Sequence, residues 1–321
     1  MYTFKYILKR LGLALMTFTI IFTMYFVLIK LLPIDTSTVP IGQDTQKLEI
    51  LMEQRGYNKP ILEQYFLYLY RIIFKGDFGV CINIPSYRYK PVIDLFVEKL
   101  PPTILLNVYS SLISVPIGIS LGIFAALKKN KWQDHFISTA IMVVISVPSF
   151  VYAAVLLYIL CFKLQLFPLT MKAGYDYFTW DMFKSMLPAV FSLCFGSIAG
   201  YARNVRAELC EVLTSEYMLL ARTKGLTKAQ ATTRHALRNA MVPVFPNIIY
   251  EFLAVMNGSL IIEKVFSIPG VGDLYLSAIN APDYDLFMML AGFYLALGLV
   301  GSIIIDLSYG IIDPRIRMGA R

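Results

Sequence analysis

Apolar residues run along this chain in blocks longer than a soluble core helix needs, separated by intervals where charges and turn formers collect. Since a helix rises about 1.5 Å per residue, roughly 20 apolar residues cross a hydrocarbon core of ~30 Å. The pattern predicts six spans, over about 11–32, 103–127, 135–160, 186–202, 242–262 and 285–310. The first follows Lys5, Lys9 and Arg10, the layout of a secretory signal, but it is too long and no Ala-x-Ala site follows. A retained span is expected, with Lys30 snorkelling to the outer interface. Residues 33–102 form the longest interval between spans. Within it Ile61, Leu62, Tyr65, Phe66, Leu69, Tyr70 and Ile73 recur at helical spacing, while Glu63 and Arg71 make the segment too polar to cross. A packed or interfacial helix ending near Gly76 is predicted. Pro148 in the middle of the third span removes a backbone hydrogen bond and permits a kink. Gly118 with Gly122, and Gly196 with Gly200, have the spacing that lets helix backbones approach closely.

Composition agrees: 57% of residues are hydrophobic and only 16% charged, as in an all-α integral membrane protein. The net charge of +8 does not point to nucleic acid, because the basic residues follow membrane sidedness. Segments assigned to the inside hold 16 basic and 5 acidic residues, those outside 12 and 14, which puts both termini inside. The outer segment 33–102 balances to zero. Cys81, Cys161, Cys194 and Cys210 lie far apart without CxxC spacing, so neither disulfide nor metal site is expected.

The inside loop at 203–241 changes the picture. Tyr201–Ala240 holds seven of the 29 Lys and Arg residues. Two short helical patterns meet at Gly225, placed as a left-handed residue closing the first, and Thr227 with Gln230 fits a capping box opening the second. On the first helix Tyr217, Leu220 and Ala221, with Lys224 one turn on, share a face by i, i+3, i+4 spacing and are expected to form a small apolar and basic docking surface. Glu216 and Leu226 flank it.

Ala221-Arg222-Thr223-Lys224-Gly225 followed by Arg234-His235-Ala236-Leu237-Arg238-Asn239-Ala240-Met241-Val242-Pro243 resembles the EAA loop of ABC-importer permeases of the dipeptide, oligopeptide and nickel group. Leu219-Leu220 stand where the general motif has Glu-Ala, and Arg238 where it has proline. The opening Lys5-Tyr6-Ile7-Leu8-Lys9-Arg10, the Glu-x-Val-Phe-x-x-Pro-Gly-x-Gly pattern at Glu263–Gly272 and the ending Asp313-Pro314-Arg315-Ile316-Arg317 are similar to the same group; Ile34-Asp35-Thr36 departs from its Gly-Asp-Pro. The resemblance implies one permease domain over 1–321 with the type I ABC importer permease fold and an extracytoplasmic insertion after the first helix. It implies a multi-pass B-type subunit in a prokaryotic cell membrane that forms half of a peptide pathway. It also implies partners: a homologous second permease, two cytoplasmic ATPases and an extracytoplasmic solute-binding protein. Nickel or a metal chelate is the alternative substrate, and a non-transporting membrane scaffold the alternative outside the class. Glu263, Phe266, Pro269, Gly270 and Gly272 become candidates for an outer gate or binding-protein contact.

No catalytic centre is expected. His135 and His235 stand apart without ligand-spaced neighbours, and no Walker sequence is present, so the chain is expected to bind no cofactor, ATP and Mg being held by the partner ATPases. Two acids fall within spans, where a carboxylate costs roughly 2.5–3.5 kcal/mol. Asp306 lies near a cytoplasmic end. Glu251, eight residues beyond Pro243, lies about 12 Å into the fifth span. It lines the translocation pathway, or it pairs with a hydroxyl or amide on a neighbouring span.

The charge asymmetry makes a direct prediction. With Cys81 replaced, a cysteine at Ser86 should react with an impermeant thiol reagent in intact cells and one at Gln133 should not; labelling at Gln133 would refute the six-span topology.

Overall fold

A computed structural model describes residues 2–31, 43–172, 174 and 176–312. The helices, in chain order, are α1 (Tyr2–Leu31), α2 (Gln43–Gln54), α3 (Ile61–Tyr70), α4 (Val92–Leu127), α5 (Trp132–Ser146), α6 (Ser149–Leu156), α7 (Trp180–Leu213), α8 (Glu216–Thr223), α9 (Lys228–Ala231), α10 (Leu237–Ala240), α11 (Phe245–Leu253), α12 (Leu260–Val265), α13 (Val271–Asn280) and α14 (Tyr284–Ile312). No strand occurs among the described residues beyond one isolated bridge, Val80 with Pro91.

α1, α4, α7 and α14 are each long and apolar enough to cross a membrane. Two further spans exist only as bent pairs: Trp132–Ser146 with Ser149–Lys163, at 92°, and Lys228–Ala240 with Phe245–Met256, at 50°. The described helices thus give four spans, or up to six if each pair counts once, and the Lys228–Ala240 half of the second pair falls within the loop expected over 203–241 and not within a predicted span. The first break is the kink foreseen at Pro148, carried further. A residue before proline is pushed out of the helical region, and Val147 is extended at φ −100°, ψ 124°. Pro148 cannot donate to the carbonyl of Val144; the Val147 N–H (3.3 Å) and the Tyr152 hydroxyl (3.0 Å) donate instead.

The fifth span is not the unbroken helix expected over 242–262. Pro243 and Pro246 lack N–H groups, so the chain turns through 241–244 before α11, whose first turn accommodates Pro246. After a 3-10 turn to Asn257, Gly258 at φ +51° stops the helix and α12 begins. Four other spans outrun their predicted limits: α1 begins at Tyr2, α4 begins at Val92, α7 covers Trp180–Leu213 and α14 reaches Ile312. Polar helix ends have no apolar periodicity to announce them.

The chain forms two compact units, Met1–Pro101 with Pro269–Ile303, and Pro102–Ile268 with Ile304–Arg321. In the first, Phe22, Phe26 and Ile29 of α1 pack with Tyr68 of α3 and Met288 of α14. The amphipathic helix expected from Ile61 is α3, extended by a π-turn over Arg71–Lys75 and closed by Gly76 at φ +61°. A second cluster joins Cys81, Val92 and Leu95 to Leu274, Leu286 and Leu290. Asp283 ties the segment before α4 to this cluster, accepting the N–H groups of Ile82 (2.5 Å), Asn83 (2.8 Å) and Leu286 (3.2 Å). Burial pushes its carboxyl above the usual range against the pull of those donors. Lys30 departs from expectation. Its ammonium lies over the rings of Tyr57 (3.8 Å to the centroid) and Tyr284 (4.1 Å), because the chain beyond α1 supplies aromatic faces where an interfacial lysine meets water.

In the second unit α4 and α7 meet at the predicted glycines. A Cβ on Gly118 would stand 2.7 Å from Tyr201 Cβ, and one on Gly122 would stand 2.7 Å from the Ala202 carbonyl oxygen. The other pair, Gly196 and Gly200, makes no such approach: nothing lies within 4 Å of a Cβ at either. This asymmetry is testable by thermal unfolding of the purified protein. Gly122→Leu should lower the midpoint by the equivalent of at least about 1–3 kcal/mol, whereas Gly196→Ala should leave it unchanged or slightly raised.

Candidate functional site: the loop from α7 to α10

α7 ends at Leu213 with Thr214 as its cap, and the hydroxyls of Thr214 and Ser215 donate to the carbonyls of Glu211 (2.9 Å) and Val212 (2.6 Å), which also accept the backbone N–H groups of the same two residues (3.1 Å each). α8 follows at once. Gly225 stands just past its end at φ +89°, with open space where a Cβ would be, so the conformation alone demands glycine. Thr227 opens α9 with the predicted capping box: its N–H donates to the Gln230 side chain (3.0 Å), and its hydroxyl accepts the Gln230 N–H (3.3 Å). A π-turn over Thr232–Ala236 then joins α9 to α10. The extra residue it accommodates keeps Ala231, Ala236 and Ala240 on one buried face, although they are spaced by five and four.

These alanines pack with Leu209 and Cys210 of α7, Ala126 of α4, and Met218 and Ala221 of α8. The expected docking face therefore needs correction. Ala221 is 8% exposed and points into the core with Met218, whereas Tyr217 (40%), Leu219 (65%) and Leu220 (55%) are outside. Glu216, Lys224 and Gly225 are exposed and Leu226 is half-buried. α8 has apolar residues around most of its circumference, so spacing did not reveal which pair turned inward. The outer surface is Tyr217, Leu219 and Leu220 beside the cations of Arg222 and Lys224.

One element of the site has no counterpart in the sequence reading. Asp134, 1% exposed in the first turn of α5, is held by the Arg206 guanidinium of α7 through Nε to Oδ1 (2.5 Å) and Nη2 to Oδ2 (2.8 Å). The Asn130 N–H (3.0 Å) and Ser138 hydroxyl (3.3 Å) complete its shell. The available signal was a lone acid following three lysines.

Glu251, half-buried on α11, accepts from the Ser197 hydroxyl of α7 at 3.4 Å, and the Tyr201 hydroxyl of α7 donates to the Asn247 carbonyl of α11 at 3.3 Å. Of its two expected roles, the arrangement displays hydroxyl pairing across spans. In the outer signature four of five candidates are buried: Glu263, Phe266, Gly270 and Gly272, leaving Pro269 exposed. Glu263 accepts from the Thr103 hydroxyl (3.0 Å) and the Ser259 N–H (3.3 Å). Phe266 packs with Leu106, Met182 and Met186. Those two side chains build the turn from within and present no contact surface. Ile34-Asp35-Thr36 and Asp313–Arg317 lie outside the described residues.

Residues 118–318, more than half of the chain, match the family described as binding-protein-dependent transport system inner membrane component, and residues 3–107 match its N-terminal region. The chain belongs to this family. Its fold is that of an ABC-importer permease, a multi-pass membrane subunit. The dipeptide transport system permease protein DppB of Lactococcus lactis subsp. cremoris is 35% identical over 314 residues, covering 98% of this chain and 99% of the relative. DppB of Bacillus subtilis is 32% identical over 314 residues, 98% of each chain. The oligopeptide transport system permease protein OppB of Haemophilus influenzae is 35% identical over 315 residues, 98% of this chain and 99% of the relative.

For this permease, Gly225→Val should disorder the α8–α9 turn, because a branched residue at positive φ costs on the order of 1–3 kcal/mol. Faster amide exchange across 216–231, with the spans unaffected, is the expected outcome; Thr233→Ser should leave exchange unchanged.

Proposed function

We propose that this permease imports di- and oligopeptides, forming half of the pathway beside a homologous second permease. An extracytoplasmic binding protein delivers the peptide, and two cytoplasmic ATPases, which hold the ATP and Mg, drive alternating access. The loop from α7 to α10 and both termini face the cytoplasm. End-to-end similarity to dipeptide and oligopeptide permeases carries the substrate assignment.

The surface of α8 supports the coupling role. Large apolar side chains are exposed there on a short helix whose other face is anchored to α7, and an exposed apolar cluster rimmed by cations suits a protein partner. Glu216, Tyr217, Leu220, Lys224 and Gly225 keep their assigned place on or beside this surface, with Leu219 added, while Ala221 and Leu226 support it from beneath.

Because Leu220 is exposed, Leu220→Asp should leave folding and insertion intact. In proteoliposomes with the partner subunits, it should reduce ATPase copurification and peptide uptake at least about tenfold, the equivalent of roughly 1.4 kcal/mol. Full uptake by this variant and by Tyr217→Ala would remove α8 from the coupling path. Hydrolysis stimulated by a nickel chelate and not by peptides would transfer the assignment to metal import.

A further inference from the structure

α3 packs one face on α1 and leaves the other uncovered. Tyr65, Tyr68 and Ile72 lie against the cluster that holds Phe22 and Phe26 of α1. On the opposite side Leu62 (73% exposed), Phe66 (66%), Ile73 (68%) and Phe74 (74%) stand open, Leu62, Phe66 and Ile73 at the spacing of a single helix face. The π-turn over Arg71–Lys75 adds a residue to the register and leaves both Ile73 and Phe74 outside. Charges avoid this row. Lys59 pairs with Glu63 at the start of α3, Lys75 lies 5.7 Å from the Tyr70 ring at its far end, and Gln64 and Arg71 line the polar interior with Arg55 and Asp285. An exposed row of large apolar side chains marks a surface that something covers.

Contacts with α1 set the depth of that row. α1 is apolar from Ile7 to Leu31, long enough to cross the membrane. The Tyr65 hydroxyl meets the Thr23 hydroxyl at 2.7 Å. Thr23 stands about 12 Å along the helix axis before Leu31, at 1.5 Å per residue. Phe26, whose ring lies 5.2 Å from that of Tyr65 and 5.8 Å from that of Tyr68, stands about 7.5 Å before Leu31. Both positions fall within the roughly 15 Å of hydrocarbon on one side of the midplane. At the same level α1 exposes Met24, Val27 and Leu28, so the two helices present one apolar front at a height that a soluble partner does not reach. The backbone suits such a place as well: beyond the π-turn the N–H groups of Gly76 and Asp77 donate to the carbonyls of Ile72 and Arg71 (3.2 Å each), which hydrocarbon could not satisfy.

We propose that α3 and its π-turn lie inside one leaflet of the bilayer, with Leu62, Phe66, Ile73 and Phe74 against phospholipid acyl chains. The segment between α1 and α4 is thereby anchored in the membrane and does not stand free above it. Single tryptophans test this in the assembled transporter, reconstituted in phosphatidylcholine vesicles. Trp132 and Trp180, the two tryptophans of the chain, are replaced by phenylalanine, and Phe66→Trp or Leu62→Trp is introduced on the exposed row. Bromine attached to the acyl chains should remove most of the emission of either variant, and iodide in the buffer should remove little. Quenching by iodide and not by brominated lipid would put the row in water and overturn the proposal. Emission that neither quencher reduces would mean that another protein surface covers α3, which would overturn it equally.

Discussion

Inside a bilayer no water replaces a lost backbone hydrogen bond, and the departures of this chain from regular helix are governed by that condition. At Pro148 the chain turns through 92° and a tyrosine hydroxyl from the following helix takes the carbonyl that proline leaves. Elsewhere hydroxyls fold back on their own helices, as Thr17, Thr19 and Ser146 do on Leu13, Leu15 and Met142. In the same span as Pro148 a π-turn over Leu157–Lys163 absorbs an odd residue without opening the hydrogen-bonded ladder. At Pro148 the bend is therefore a built conformation, the freed carbonyl of Val144 having assigned donors.

Close packing transmits this order towards the loop. Glycines on α4 let α7 approach to backbone contact, and the same α7 continues beyond its apolar stretch to form the floor on which α8, α9 and α10 rest. Alanines, Ala221, Ala231, Ala236 and Ala240, line the side of the loop that rests on that floor. A small side chain permits close approach at little entropic cost, and it leaves the larger residues of α8 on the outside.

The long apolar helices α1, α4, α7 and α14, the break at Pro148, the helix from Ile61 to Gly76, the turn at Gly225 and the capping box at Thr227 were legible because each rests on local chemistry: apolar length, a missing N–H, a positive φ or a hydroxyl at an N-cap. Rotational setting was less legible. Ala221 and Met218 point inward on a helix that is apolar nearly all round, and only the tertiary partners decide which face is covered. Glu263 and Phe266 belong to a sequence pattern that suggested a surface, yet they serve the interior, since a motif records which residues occur together and not which way they face. Asp134 was hidden for another reason: its partner, Arg206, is far along the chain, and no local periodicity links an acid to a guanidinium on another span.

That pair has a mechanical consequence. Two parallel N–H···O contacts fix the relative orientation of guanidinium and carboxylate as well as their distance. The first turn of α5 is consequently not free to swivel about the end of α7. α7 and α5 are thereby joined like the two prongs of a yoke, and the sharp elbow at Pro148 is rooted in α7 as firmly as in its own helix.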